Sequence, residues 1–165
     1  MPLLPDPDEV VLDTSALLAY LCDDAGADTV GLLLRAAAAG KVNLVVPTIC
    51  LAEALSIALR SLGAERLDDF RATIEQLPVR TVALDLDGAL DTAVAAHVWQ
   101  MGYPEAAAAT AAQSTDSMLV TANPLFALFE RTGGKVYWIG PEEERNEATL
   151  FDPFARFRPA ARQGL

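Results

Sequence analysis

Asp13, Glu53, Glu105 and Asn123 carry side-chain oxygens at the ends or beginnings of regular elements, where such groups can face a cleft instead of bulk water. Asp13 closes the apolar run Val10-Val11-Leu12 and is followed by Thr14 and Ser15, whose hydroxyls can cap a helix while its N-terminal N–H groups face an anion. Glu53 falls in the second turn of the helix that follows Val42 to Val46, on the stripe Ile49, Glu53, Ile57. Glu105 follows Pro104 at the start of an alanine-rich helix, and Asn123 lies just past Met118 to Thr121. Each has an ordinary structural explanation: a solvated helical glutamate, an acid favoured by the helix dipole, an Asn-Pro turn. As a set they are hard oxygen donors. One acid cannot hold a divalent metal ion, so the chemistry depends on whether the fold brings the others to Asp13.

The elements that must do this are legible as alternation. Apolar β-rich runs occur at Val10-Val11-Leu12, Leu44-Val45-Val46, Thr81-Val82-Ala83-Leu84, Met118 to Thr121 and Val136-Tyr137-Trp138-Ile139. Helical patterns separate them. Leu51, Leu55, Leu59 and Leu62 recur at the spacing of one helix face, as do Leu90, Val94, His97, Val98 and Met101. Strand then helix, repeated, implies an α/β domain with a parallel sheet of about five strands covered on both sides, and ligands in such sheets bind beyond the strands' carboxyl ends. Pro47 and Pro104 mark helix starts, Gly40, Gly102 and Gly133 mark helix ends, and the alanine tracts 36–39 and 106–109 are explained by helix packing.

A chain of 165 residues with 52% hydrophobic content is the size of one domain with an ample core. That domain is expected at 1–140, with 141–165 as an extension, acidic at Pro141 to Arg145 and then aromatic and basic through Phe151, Phe154 and Phe157, which packs back or docks elsewhere. No membrane span or signal-like leader is visible, so a cytoplasmic protein is expected. Cys22 and Cys50 lack metal-site spacing and read as reduced structural thiols, and His97 is the only histidine, which argues against structural zinc. The net charge of −11 disfavours non-specific binding to nucleic acid. Arg60, Arg66, Arg71, Arg80, Arg131 and Lys135 are available for a local basic patch, or are simply solvated surface.

The stretches 11–17, 46–54, 105–110 and 119–123 resemble the motifs of PIN domains, in particular the VapC-type toxin ribonucleases, across roughly residues 9–139. The resemblance implies a three-layer α/β/α fold and an Mg2+- or Mn2+-dependent endoribonuclease. Asp13, Glu53 and Glu105 are then the metal-binding acids, Asn123 joins them, and Ser15 or Thr14 orients water or phosphate. It also implies a small antitoxin protein as partner, and a homodimer. Such an ion neutralises the phosphodiester and activates the attacking water. Glu105 stands where the family usually has Asp, so its carboxylate is displaced by about one C–C bond, which matters for a near-octahedral Mg2+ site. A PIN-like scaffold that binds RNA or protein without catalysis is the alternative.

A rival motif, Val82 to Leu90, resembles the nucleophile loop of haloacid-dehalogenase-type phosphatases, with Asp85 as nucleophile and Asp87 as acid and base. Its remaining acidic pair is missing. Asp85 reads better as the cap after an edge strand, with Asp87 and Asp91 in or near the first helical turn.

Overall fold

The computed structural model describes residues 8–146, so the readings made for Met1 to Asp6 and for Phe151, Phe154 and Phe157 lie outside the described residues. Its centre is a parallel sheet of β1 (Glu9–Leu12), β2 (Asn43–Pro47), β3 (Val79–Val82), β4 (Met118–Thr121) and β5 (Val136–Trp138), in the order β3-β2-β1-β4-β5. Val11 pairs with Val45 on one side and Leu119 on the other. The central strands are apolar throughout because both their faces are covered: Val10, Val11, Leu12, Val45, Val46, Leu119 and Val120 are at most 1% exposed. The edge strand β3 begins two residues before the apolar run that suggested it, since an edge tolerates polar side chains. Its Arg80 is exposed and pairs with Glu9 of β1 at 2.8 Å.

Between the strands lie α1 (Thr14–Leu21), α2 (Ala27–Ala38), α3 (Thr48–Leu62), α4 (Leu67–Gln76), α5 (Leu86–Val98), α6 (Tyr103–Ser114) and α7 (Ala127–Arg131). Progression from β1 through β3 runs one way across the sheet and from β4 to β5 the other, so right-handed crossovers place helices on both faces, the expected α/β/α arrangement. The direction reverses between β1 and β4, and that switch point is where such sheets hold ligands.

Helix α6 packs against β1, β2 and β4 as well as α3 and α5. Its Ala106, Ala107, Ala108, Ala109 and Ala112 are at most 2% exposed, the small side chains letting it lie close to its neighbours. The leucines of α1 and α2 are likewise core: Leu17, Leu18, Leu33 and Leu34 are buried. Two helix stripes turn out otherwise than their periodicity suggests. On α3 the buried face is Cys50, Ala54, Ile57 and Ala58, leaving Leu51, Leu55 and Leu59 half-buried and Leu62 exposed. On α5 the buried residues are Thr92 and Ala95, while Leu90, Val94 and Val98 face outward. Periodicity identifies an apolar stripe; it does not say that the core lies beneath it. Among the described residues no helix is long and apolar enough to cross a membrane.

Candidate active site at the switch point

Asp13 follows β1 directly, and its carboxylate is the cap of α1: Oδ1 accepts from the Ala16 N–H at 2.9 Å. Thr14 and Ser15, expected as the caps, instead serve carboxylates. A cap must precede the first helical residue, and both of these already lie within the helix. Ser15 Oγ donates to Asp13, at 2.8 Å from Oδ1 and 3.0 Å from Oδ2, and accepts the Ala122 N–H at 2.8 Å. Thr121, the last residue of β4, donates through Oγ1 to Asp13 Oδ2 at 2.9 Å and accepts the Asn123 N–H at 2.8 Å. Each backbone N–H occupies the acceptor side of a hydroxyl, so the hydroxyl proton is left for Asp13. These donors favour the carboxylate anion, but Asp13 is 1% exposed, and burial outweighs them and raises its pKa to about 6.

Glu53 extends from α3 and is half-buried; its Oε2 accepts from Thr14 Oγ1 at 2.7 Å. Partial burial raises its pKa, opposed by the Thr14 hydrogen bond and by the charge of Arg60 on the same helix. Glu105 lies in the first turn of α6 and is 7% exposed. Its Oε1 accepts from Asn123 Nδ2 at 3.1 Å, and Asn123 Oδ1 in turn accepts the Leu125 N–H at 3.0 Å. Burial, with the nearby Glu53 and Asp13 charges adding repulsion, lifts the Glu105 pKa to about 7. Its Oε2 lies against the backbone of Gly102, where a β-carbon would come within 2.5 Å. Beneath the site the buried Cys50 thiol donates to the Pro104 carbonyl at 3.3 Å, and its pKa is raised by burial and then by the Asp13 charge.

The switch point therefore gathers Asp13, Ser15, Glu53, Glu105 and Asn123 from four separate stretches of chain. Thr121 is the site residue that sequence reading missed. A threonine ending a strand looks like β-propensity alone, and the only signal was its place opposite Asp13, which requires the strand order. Among the described residues none of Asp13, Glu53 and Glu105 has an ion-pair partner. Among those residues, too, no group of three or more acidic, histidine or cysteine side chains is drawn close enough to grip an ion unaided. The donor set is all oxygen, which suits Mg2+ or Mn2+ and is too hard for a zinc or copper preference. Mg2+ keeps several waters and needs only one or two carboxylates besides substrate phosphate, so these residues fit it without a closed cage.

Of the basic candidates, Arg66, Arg71, Arg80 and Lys135 are paired with Asp69, Glu75, Glu9 and Asp116. Asp85 caps α5 beyond the edge strand, accepting the Gly88 N–H at 2.8 Å, so it has the structural role expected of it and stands apart from the switch point.

Comparison with known proteins agrees with this architecture. A family model described as PIN domain matches residues 10–132. Among solved structures, VapBC2 from Rickettsia felis bound to a promoter DNA fragment is 15% identical over 78% of this chain and 97% of that one, with a TM-score of 0.61. VapBC-1 from nontypeable Haemophilus influenzae is 20% identical over 79% and 97% of the two chains, with a TM-score of 0.57. DNA-bound VapBC from Salmonella typhimurium is 20% identical over 78% and 96%, with a TM-score of 0.56. At these identities the likeness is one of fold. No curated protein sequence matches the chain.

Proposed function

Because the chain belongs to the PIN domain family, we propose that it is a metal-dependent endoribonuclease with Mg2+ or Mn2+ as cofactor, acting as the toxin of a toxin–antitoxin pair. The observation that carries this reading is uncompensated negative charge at the switch point. Asp13 and Glu105 are both buried, their pKa values are raised, and the groups that hydrogen-bond to them are neutral donors. Burying acids without a counter-charge lowers stability, so the arrangement makes sense when a cation completes it.

When bound, such an ion supplies the positive charge that offsets a phosphodiester and its attacking oxygen. The chain's own residues do the positioning. Ser15 and Thr121 fix the Asp13 carboxylate in one orientation, Thr14 tethers Glu53, and Asn123 holds Oε1 of Glu105 while Oε2 lies 2.5 Å from where a β-carbon on Gly102 would be. RNA as substrate is supported by the resemblance to VapC-type enzymes. A small antitoxin and a homodimer are supported by the same resemblance and by exposed apolar residues away from the cleft, Tyr20, Leu62 and Leu67 among them. Activity in the cytoplasm follows from such a role.

One observation favours a second reading, an RNA- or protein-binding PIN domain without catalysis: by the resemblance, Glu105 stands where the family usually has Asp. Incubating the protein with labelled RNA and DNA in Mg2+, Mn2+ or EDTA separates the two. RNA cleavage that requires the divalent ion supports the enzyme; RNA binding with no cleavage under any ion supports the binding module.

A further inference from the structure

Helix α5 turns most of its apolar side chains to the outside. It buries Thr92, Ala95 and, just past its end, Trp99, while Leu86, Leu90, Val94 and Val98 are 75%, 59%, 63% and 54% exposed. These four stand at successive intervals of four residues, so they form one slanted row along the helix. Beside the row a groove of about 420 Å³ opens between α5 and α6, walled by Asp91, Val94, Val98 and Trp99 with Thr110 and Gln113 opposite. Scattered exposed leucines need no explanation; a continuous row beside a groove is the mark of an interaction surface.

We propose that residues 147–165 of this same chain dock on the α5 row and its groove. The described chain ends near the right place. Arg145 Nη2 pairs with Glu130 Oε1 of α7 at 3.0 Å. Just past α7, Thr132 Oγ1 accepts from Trp99 Nε1 at 3.0 Å, and Trp99 forms the groove wall. Nineteen residues follow Asn146, enough to reach roughly 60 Å when extended, about three times the length of a helix of α5's size.

Composition matches the surface. The segment contains Phe151, Phe154 and Phe157 at a spacing of three, and Arg156, Arg158 and Arg162 with no acidic residue after Asp152. The start of α5 carries the exposed Asp85, Asp87 and Asp91. Rings and guanidinium groups thus meet an apolar row edged by carboxylates. A second copy of α5 packed in parallel would instead bring acids against acids. The inference does not depend on the nuclease reading, and its test does not use activity.

The test is hydrogen exchange on the full chain, beside the variant Phe151→Ser/Phe154→Ser/Phe157→Ser and the reciprocal variant Leu90→Asp/Val94→Asp. All five positions lie on the surface or outside the described fold, and unchanged exchange in β1 and β4 checks that the core is intact. Loss of the rings is expected to raise exchange across residues 86–98 several-fold, and the α5 variant is expected to raise it across 151–157. Unaltered exchange at 86–98 in the ring variant overturns the proposal. So does a wild-type dimer that only the α5 substitutions dissociate, because a second copy then covers the row.

Discussion

Thr121 Oγ1 donates a hydrogen bond to Asp13 Oδ2 at 2.9 Å across 108 positions of sequence, tying the carboxyl ends of β1 and β4 together. The Asn123 N–H occupies the acceptor side of the same hydroxyl, so its direction is fixed. Thr121→Val keeps the shape but removes the donor to a buried carboxylate and strands that N–H. A loss of about 1–3 kcal/mol is expected by urea denaturation, largely recovered in Thr121→Ser. On the proposed function, cleavage falls in Thr121→Val, since Asp13 loses its fixed orientation.

The raised carboxyl pKa values set a pH dependence. Asp13 moves from an ordinary 3.8 to about 6 and Glu105 from 4.5 to about 7, so in the metal-free protein the folded state holds protons that the unfolded chain has released. The stability they confer is complete below the unfolded values and disappears as pH rises through 6 for Asp13 and 7 for Glu105, by on the order of 3 kcal/mol for each group. Denaturation in EDTA from pH 5 to pH 8 is expected to show this decline. Asp13→Asn flattens its lower half, and Mg2+ or Mn2+ offsets it at pH 8.

Gly102 and Glu105 form a matched pair. Gly102 has φ −69°, acceptable to alanine, so Gly102→Ala acts only through its β-carbon, which meets Glu105 Oε2 at 2.5 Å. The flexible carboxylate is expected to move aside, costing under about 1 kcal/mol in stability but lowering cleavage at least tenfold. Glu105→Asp withdraws the carboxylate by one methylene. The double variant is expected to lose less activity than the sum of the two singles, a coupling that a double-mutant cycle measures.

Asp85→Ala removes the α5 cap and is expected to cost about 1 kcal/mol without altering RNA cleavage. Loss of a phosphatase activity in that variant, with Asp13→Ala unaffected, would restore the rival reading.

The strands were legible where both faces are buried. Val10 to Leu12 and Met118 to Thr121 are unbroken apolar or β-branched runs because nothing there meets water. Asp13 was legible for the same reason, as the first charge after such a run. The start of β3 was not, because Val79 and Arg80 lie on an edge whose polar residues mask the strand. Nor was the outward turn of α5: Leu90 and Val94 have the spacing of a core face, and only the packing of Thr92 and Ala95 reveals which side is covered. The carboxylates of the site are legible by position, and Ser15 and Thr14 as their neighbours, whereas the service of those hydroxyls as donors to Asp13 and Glu53 is not, since both residues suit a cap equally well.

Most direct for the central claim is divalent-ion-dependent RNA cleavage by Asp13→Asn, with unfolding followed in parallel. The substitution removes a buried charge while keeping the side chain's size, so a folded protein is expected at pH 8, with Mg2+- or Mn2+-dependent cleavage reduced at least a thousandfold. Cleavage at the wild-type rate by that folded variant would contradict the account.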